Sequence, residues 1–136
     1  MKRTATAAWN GTVKEGKGTL TTKSETLNAQ NYSFHSRFED GEGTNPEELI
    51  AAAHAGCFTM ALSHGLTEAG YTPGDLKTEC AIDFRDQELK ESHLVTTASV
   101  PGIGKDEFDK IIQDAKENCP ISRALNCEIT LEYTLN

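Results

Sequence analysis

Two short runs near the start of the chain, Thr4 to Trp9 and Gly18 to Thr22, mix apolar positions with threonines in a β-prone pattern. The Gly11 to Gly16 region between them reads as the turn of an antiparallel hairpin. A third short strand is predicted over Tyr32 to Phe34. The period then changes. Asn45-Pro46-Glu47-Glu48 supplies an N-cap side chain, a proline at the first helical position and acids in the first turn, and the helix so begun closes at Gly70, about seven turns later. Asp75 to Arg85 alternates, with Leu76, Cys80, Ile82 and Phe84 on one face, and Ser92 to Val100 is its expected hairpin partner. Within Asp106 to Asn118, Phe108, Ile111, Ile112 and Ala115 recur at helical spacing. Pro120 starts another short helix, and Glu128 to Leu135 returns to strand period with Ile129, Leu131, Tyr133 and Leu135 together. This order predicts one α+β domain over residues 1–136 with a largely antiparallel sheet.

The long helix poses a burial problem. From Leu49 to Leu62 no position is charged, and a helix apolar all round must be covered on every side. A small sheet covers one side only, and a domain of this size buries only about two-thirds of its unfolded surface. Ala51, Ala52, Ala53, Ala55 and Gly56 would let a second helix approach closely. These residues predict a homodimer packed along the helix.

Charge and composition narrow the partners. A net charge of −8 argues against phosphate backbones and anionic lipid, both of which select basic patches. The basic start Met1-Lys2-Arg3 meets Asn10, Gly11, Lys14 and Glu15 before any apolar signal-peptide core can form. Counting His54 and His64 against it, the central run falls short of a bilayer span. The expectation is a cytoplasmic protein that binds neither nucleic acid nor membrane. In that compartment thiols stay reduced, so the four cysteines read as catalytic, metal-binding or buried rather than as a disulfide framework.

Cys80 and Cys127 share strand faces with Ile82 and Ile129 and read as small core groups. The four cysteines contain no Cys-x-x-Cys spacing, which argues against zinc. Cys119 precedes Pro120, so it is the expected N-cap of the following helix, its sulfur facing free backbone N–H groups. That setting favours thiolate exchange chemistry. Cys57 lies too deep in the long helix for the helix dipole to act on it, and burial alone would leave it inert. A reactive Cys57 therefore needs a cation. Arg37, expected in the loop before the helix, is the candidate, with Glu47 or Glu48 to hold its guanidinium. Glu47 itself stands roughly 15 Å from Cys57 along a straight helix, too far to act as its base.

Thr44-Asn45-Pro46-Glu47-Glu48-Leu49, continuing through Ala53-His54-Ala55-Gly56-Cys57-Phe58-Thr59-Met60-Ala61-Leu62, and the later Asn118-Cys119-Pro120-Ile121-Ser122-Arg123-Ala124-Leu125 closely resemble the OsmC/Ohr family of thiol peroxidases. The likeness is nearer to the OsmC branch. It implies an intertwined α+β homodimer, with antiparallel sheets around long central helices and two active sites at the subunit interface. It also implies reduction of organic hydroperoxides in stress defence, with Cys57 as the peroxidatic thiol and Cys119 as the resolving thiol of a Cys57–Cys119 disulfide. Arg37 and Glu47 fall on the positions of the activating arginine and the acid that orients it. A thiol reductant, for example a dihydrolipoyl protein, would close the cycle, and no haem, flavin or metal is required. Phe38, Leu49, Phe58 and Met60 would form an apolar substrate neighbourhood. Two other readings stay open on the residues alone: a cysteine hydrolase using Cys57 with His54, and a dimeric module that binds a hydrophobic ligand without chemistry.

Overall fold

The computed structural model describes residues 1–136. The chain forms two compact units, 1–49 and 50–136, the second beginning within the long helix.

The first unit is a three-stranded antiparallel meander of β1 (Ala5–Asn10), β2 (Lys17–Thr22) and β3 (Gln30–Tyr32), followed by a short helix α1 (Phe34–Phe38). The first hairpin forms where the pattern placed it, with Trp9 opposite Gly18 and Asn10 opposite Lys17. Trp9 and Tyr32 pack with ring centroids 5.4 Å apart across Gly18, where a Cβ would stand 2.5 Å from each ring. Only glycine fits there. The expected third strand is displaced toward the N-terminus. Ser33 leaves the sheet and opens α1 through a capping box in which the Ser33 and Ser36 side chains each satisfy the other's backbone N–H. Phe34 therefore belongs to a helix rather than to the strand predicted for it.

The second unit holds most of α2 (Pro46–Glu68), then β4 (Leu76–Arg85), β5 (Glu88–Ala98), α3 (Lys105–Asn118), α4 (Pro120–Ala124) and β6 (Glu128–Leu135). β4 and β5 are antiparallel, but β5 and β6 run parallel, from Glu91 opposite Glu128 to Ala98 opposite Leu135. The largely antiparallel expectation thus needs one amendment. A parallel neighbour requires a crossover, and α3 with α4 provides it. β5 also starts earlier than its hydrophobic pattern suggested, because Asp86 and Gln87 both adopt positive φ (54° and 64°) and close a two-residue turn without glycine.

The core of this unit is built from Phe58, Leu62 and Leu66 of α2, Leu94 and Ala98 of β5, and Phe108, Ile112 and Ala115 of α3. On α2 the buried row is His54, Phe58, Leu62 and Leu66, at successive intervals of four residues. The opposite face, with Ala52, Ala53, Gly56 and Met60, is exposed, Met60 by 76 %. By length and composition α2 does meet the requirement for a bilayer span, contrary to the sequence expectation. Its buried row packs in a protein core.

Candidate functional site

The residues singled out by the sequence come together in two groups, one in each unit. In the first, α1 carries Arg37 on a helical turn, not in the loop expected for it. Ser36 Oγ donates to the Thr44 carbonyl at 2.8 Å, and Asn45 Nδ2 donates to the Ser36 carbonyl at 3.0 Å, which ties α1 to the start of α2. Asn45 also caps α2, its Oδ1 accepting from the Glu48 N–H at 2.7 Å, while Thr44 Oγ1 donates to Glu48 at 2.7 Å. Glu48 is thereby committed to the helix cap, and Glu47 takes the arginine. Arg37 Nε reaches Glu47 Oε1 at 3.1 Å and Oε2 at 3.3 Å, and Nη2 reaches Oε1 at 2.7 Å. Such a fork fixes the plane of a guanidinium as well as its position. Arg37 also lies over the Phe38 ring at 5.2 Å and lines an apolar hollow of about 260 Å³ with Trp9, Tyr32, Phe34 and Phe38.

In the second unit, Cys57 sits beside the buried row of α2 and is half-buried, whereas Cys119 is 1 % exposed. Cys119 ends α3 and caps α4, with Pro120 at the first helical position. Its Sγ accepts from the Ser122 N–H at 3.3 Å and lies 3.0 Å from Ser122 Oγ. The cap expected from Cys119-Pro120 is the one found. Neither cysteine is in a disulfide, and the two lie near enough for Cys119 to act on the ionisation of the Cys57 thiol. Burial pushes the Cys57 thiol up; a hydrogen bond from the Ile121 backbone opposes this, and the adjacent Cys119 sulfur adds to it. This unit by itself keeps Cys57 protonated, so a thiolate there requires positive charge from elsewhere.

His54 does not serve as a base for Cys57. It is fully buried, with Nδ1 2.6 Å from Ser92 Oγ and Nε2 2.7 Å from Ser122 Oγ. Both ring nitrogens are thus occupied by serines. Cys80 Sγ lies 3.2 Å from Ser92 Oγ and packs against the core, as its strand parity suggested. Burial pushes both the Cys80 and the Cys127 thiols up, the direction of inert core groups. Of the four residues expected to line an apolar substrate neighbourhood, Phe58 is fully buried in the core and Met60 projects from the exposed face of α2. Ser92 and Ser122 were not anticipated. Ser122 stands three residues after the Cys119 cap and could have been placed by cap geometry; Ser92 carries no sequence signal toward a histidine 38 residues away.

A family model described as OsmC-like protein matches residues 39–134. The chain is 49 % identical over 133 residues to the protein named peroxiredoxin OsmC of Escherichia coli, covering 95 % of this chain and 93 % of that one. It is 30 % identical over 101 residues to an organic hydroperoxide resistance protein-like protein of Staphylococcus aureus, covering 71 % and 72 % of the two chains. Among solved structures, an OsmC-like protein from Mycoplasma pneumoniae aligns with a TM-score of 0.77 at 16 % identity, covering 99 % of this chain and 97 % of that one. OhrB of Bacillus subtilis aligns with a TM-score of 0.65 at 22 % identity, covering 96 % and 98 %. The two structures share the fold. Taken with the paired thiols and the Arg37–Glu47 fork, these matches show that the chain belongs to the OsmC-like family.

Proposed function

We propose that the chain is a cysteine-based peroxidase that reduces organic hydroperoxides to alcohols in stress defence, acting in the cytoplasm as a homodimer. The observation that supports this reading is the nearness of Cys57 and Cys119, two free cysteines of which the second acts on the ionisation of the first. The Escherichia coli and Staphylococcus aureus relatives, by their names, support the same chemistry.

In the proposed cycle Arg37, oriented by Glu47, supplies the cation that the half-buried Cys57 needs. The thiolate attacks the terminal oxygen of ROOH, the O–O bond breaks, ROH leaves with a proton, and Cys57 becomes a sulfenic acid. The Cys119 sulfur then attacks Cys57, water departs, and a disulfide joins the two. A dithiol reductant, such as a dihydrolipoyl protein, reopens it by exchange. The exposed small-residue face of α2 is the contact offered to the second subunit, beside a groove of about 710 Å³ lined by Gly56, Thr59, Met60 and Leu76. The apolar hollow at Arg37 favours organic over hydrogen peroxide.

One equivalent of cumene hydroperoxide should convert the reduced protein to a Cys57–Cys119-linked form, mapped by mass spectrometry of its peptides. Cys57→Ser should lose turnover. Cys119→Ser should consume about one equivalent and then stall or overoxidise. Normal cycling by Cys119→Ser refutes the resolving role, and a protein that loses no thiols to the peroxide is not a peroxidase.

A further inference from the structure

A polar chain crosses the core of the second unit and ends at the sulfur of Cys119. Ser92 and His54 are fully buried, Ser122 is 6 % exposed and Cys119 is 1 % exposed. The contacts run from Cys80 Sγ to Ser92 Oγ at 3.2 Å, on to His54 Nδ1 at 2.6 Å, from His54 Nε2 to Ser122 Oγ at 2.7 Å, and from there to Cys119 Sγ at 3.0 Å. One set of proton directions satisfies every link. Ser92 donates to Cys80, His54 Nδ1–H donates to Ser92, Ser122 donates to His54 Nε2, and the Cys119 thiol donates to Ser122. In that arrangement His54 is neutral, with Nε2 unprotonated and accepting from Ser122, which its desolvated position favours. Three polar groups in this space cost desolvation that apolar side chains of similar size would not. Core stability alone does not ask for them.

We propose that Ser122 and His54 form a proton relay for Cys119: as disulfide closure begins, the Cys119 thiol proton passes to Ser122 Oγ while the Ser122 hydroxyl proton passes to His54 Nε2. The freed sulfur attacks Cys57, the S–S bond forms, the S–O bond of the sulfenic acid breaks, and hydroxide leaves. Hydroxide and the proton held on His54 together make the departing water, so the step consumes no further reactant. Ser122 contacts the reacting sulfur; His54 acts through it and is a positioning residue, with Ser92 holding its tautomer. The inference rests on the resolving role proposed above for Cys119.

The titratable groups facing the relay are Cys57 from α2, Cys80 from β4 and Cys119 itself, with Cys127 taking the Ser92 backbone N–H. On β5, Glu91 and His93 alternate to the other face and bond Thr130 and Glu132. From α3 the buried groups are Phe108, Ile112 and Ala115, none of which titrates, and on α4 Arg123 is exposed.

The test separates the two chemical steps in rapid-quench experiments on the full-length protein with cumene hydroperoxide. Dimedone trapping reads Cys57 sulfenic acid, and peptide mapping reads disulfide closure. Ser122→Ala should form sulfenic acid at the wild-type rate but close the disulfide about a hundredfold more slowly near neutral pH, at the low end of what a positioned base contributes. The deficit should shrink as pH rises, because hydroxide can then take the thiol proton in place of the relay. Ser122→Thr, which keeps the hydroxyl, should restore closure, and His54→Gln should show the same pH-dependent deficit as Ser122→Ala. Should the glutamine variant fail to fold, the Ser122 pair decides. Wild-type closure in Ser122→Ala at neutral pH overturns the relay. A deficit unchanged at every pH also overturns it, because it reports a displaced sulfur rather than a retained proton. Absence of trapped sulfenic acid in the wild-type protein instead refutes the peroxidase reading itself.

Discussion

Replacing Glu47 by Gln removes the anion that orients Arg37 while leaving a side chain of the same length, so it separates the charge of the fork from its bulk. Arg37 is 37 % and Glu47 14 % exposed, and three N–H···O contacts of 2.7, 3.1 and 3.3 Å join them. Exposed ion pairs are worth about 0–1 kcal/mol, and hydrogen bonds to charged groups about 1.5–3 kcal/mol. With one partner more than a third exposed, solvent screening puts this fork near the lower figures, and glutamine retains one acceptor. The expected stability loss is about 1 kcal/mol, or roughly 3–4 °C in Tm for a chain of this size.

Activity should fall further than stability does. If the loosened guanidinium gives up about 1.4–2.8 kcal/mol of the thiolate stabilisation proposed for it, kcat/KM for cumene hydroperoxide drops about 10- to 100-fold. Under the activating role proposed for Arg37, Arg37→Met should lose at least as much, because nothing then offsets the burial that pushes the Cys57 thiol up. The double variant should be no slower than Arg37→Met, since Glu47 acts only through the arginine. Thermal unfolding and steady-state peroxidase kinetics, measured on all four proteins, decide it. A Glu47→Gln protein that loses the expected stability yet keeps the wild-type rate would show that the fork is a structural pair only.

Phe58→Ala should cost about 3–5 kcal/mol in urea denaturation, because the ring is fully buried among Leu62, Leu94 and Phe108; a loss under 1 kcal/mol would contradict that packing. Gly56→Glu should leave secondary structure and folding intact, since a Cβ there meets nothing within 4 Å, but should split the proposed dimer in light scattering. If the wild-type protein is already monomeric at micromolar concentration, the dimer proposal fails. Burial lowers the folded pKa of His54 below its ordinary value of about 6.5, so near that pH the unfolded chain binds a proton that the folded chain refuses. Its contribution is complete above about pH 6.5 and is lost as pH falls toward the depressed folded value. Stability should therefore decline from about pH 7 to 5 with a slope that His54→Gln reduces; an equal slope in the variant would contradict the burial of a neutral imidazole. Gln87→Gly should stabilise the β4–β5 hairpin by about 1 kcal/mol, as φ of 64° suits glycine, and no rise in Tm would mean that the turn is unstrained.

Local chemistry is legible in the chain wherever a residue acts on its immediate neighbours. Asn45-Pro46 starts α2, Cys119-Pro120 caps α4, and alternation places β6 at Glu128–Leu135 without adjustment. The short helix α1 was missed because its signal is a pair of serines, Ser33 and Ser36, rather than an apolar stripe. The β4–β5 turn was misplaced because Asp86-Gln87 adopts positive φ without a glycine to announce it. The partner of Arg37 was narrowed only to Glu47 or Glu48, and the choice turned on Thr44 and Asn45 engaging the second.

The α+β class, the long uncharged helix and the two distinctive cysteine settings follow from residue types and spacing alone, because periodicity, capping and proline stereochemistry act over a few residues. That Cys57 and Cys119 lie near each other, that β6 runs parallel to β5, and that His54 bridges Ser92 to Ser122 was decided by tertiary packing. These contacts join residues 37 to 68 positions apart, and no local rule carries across such a distance; they exist because burying one face of α2 against the sheet brings whatever lies on those faces together.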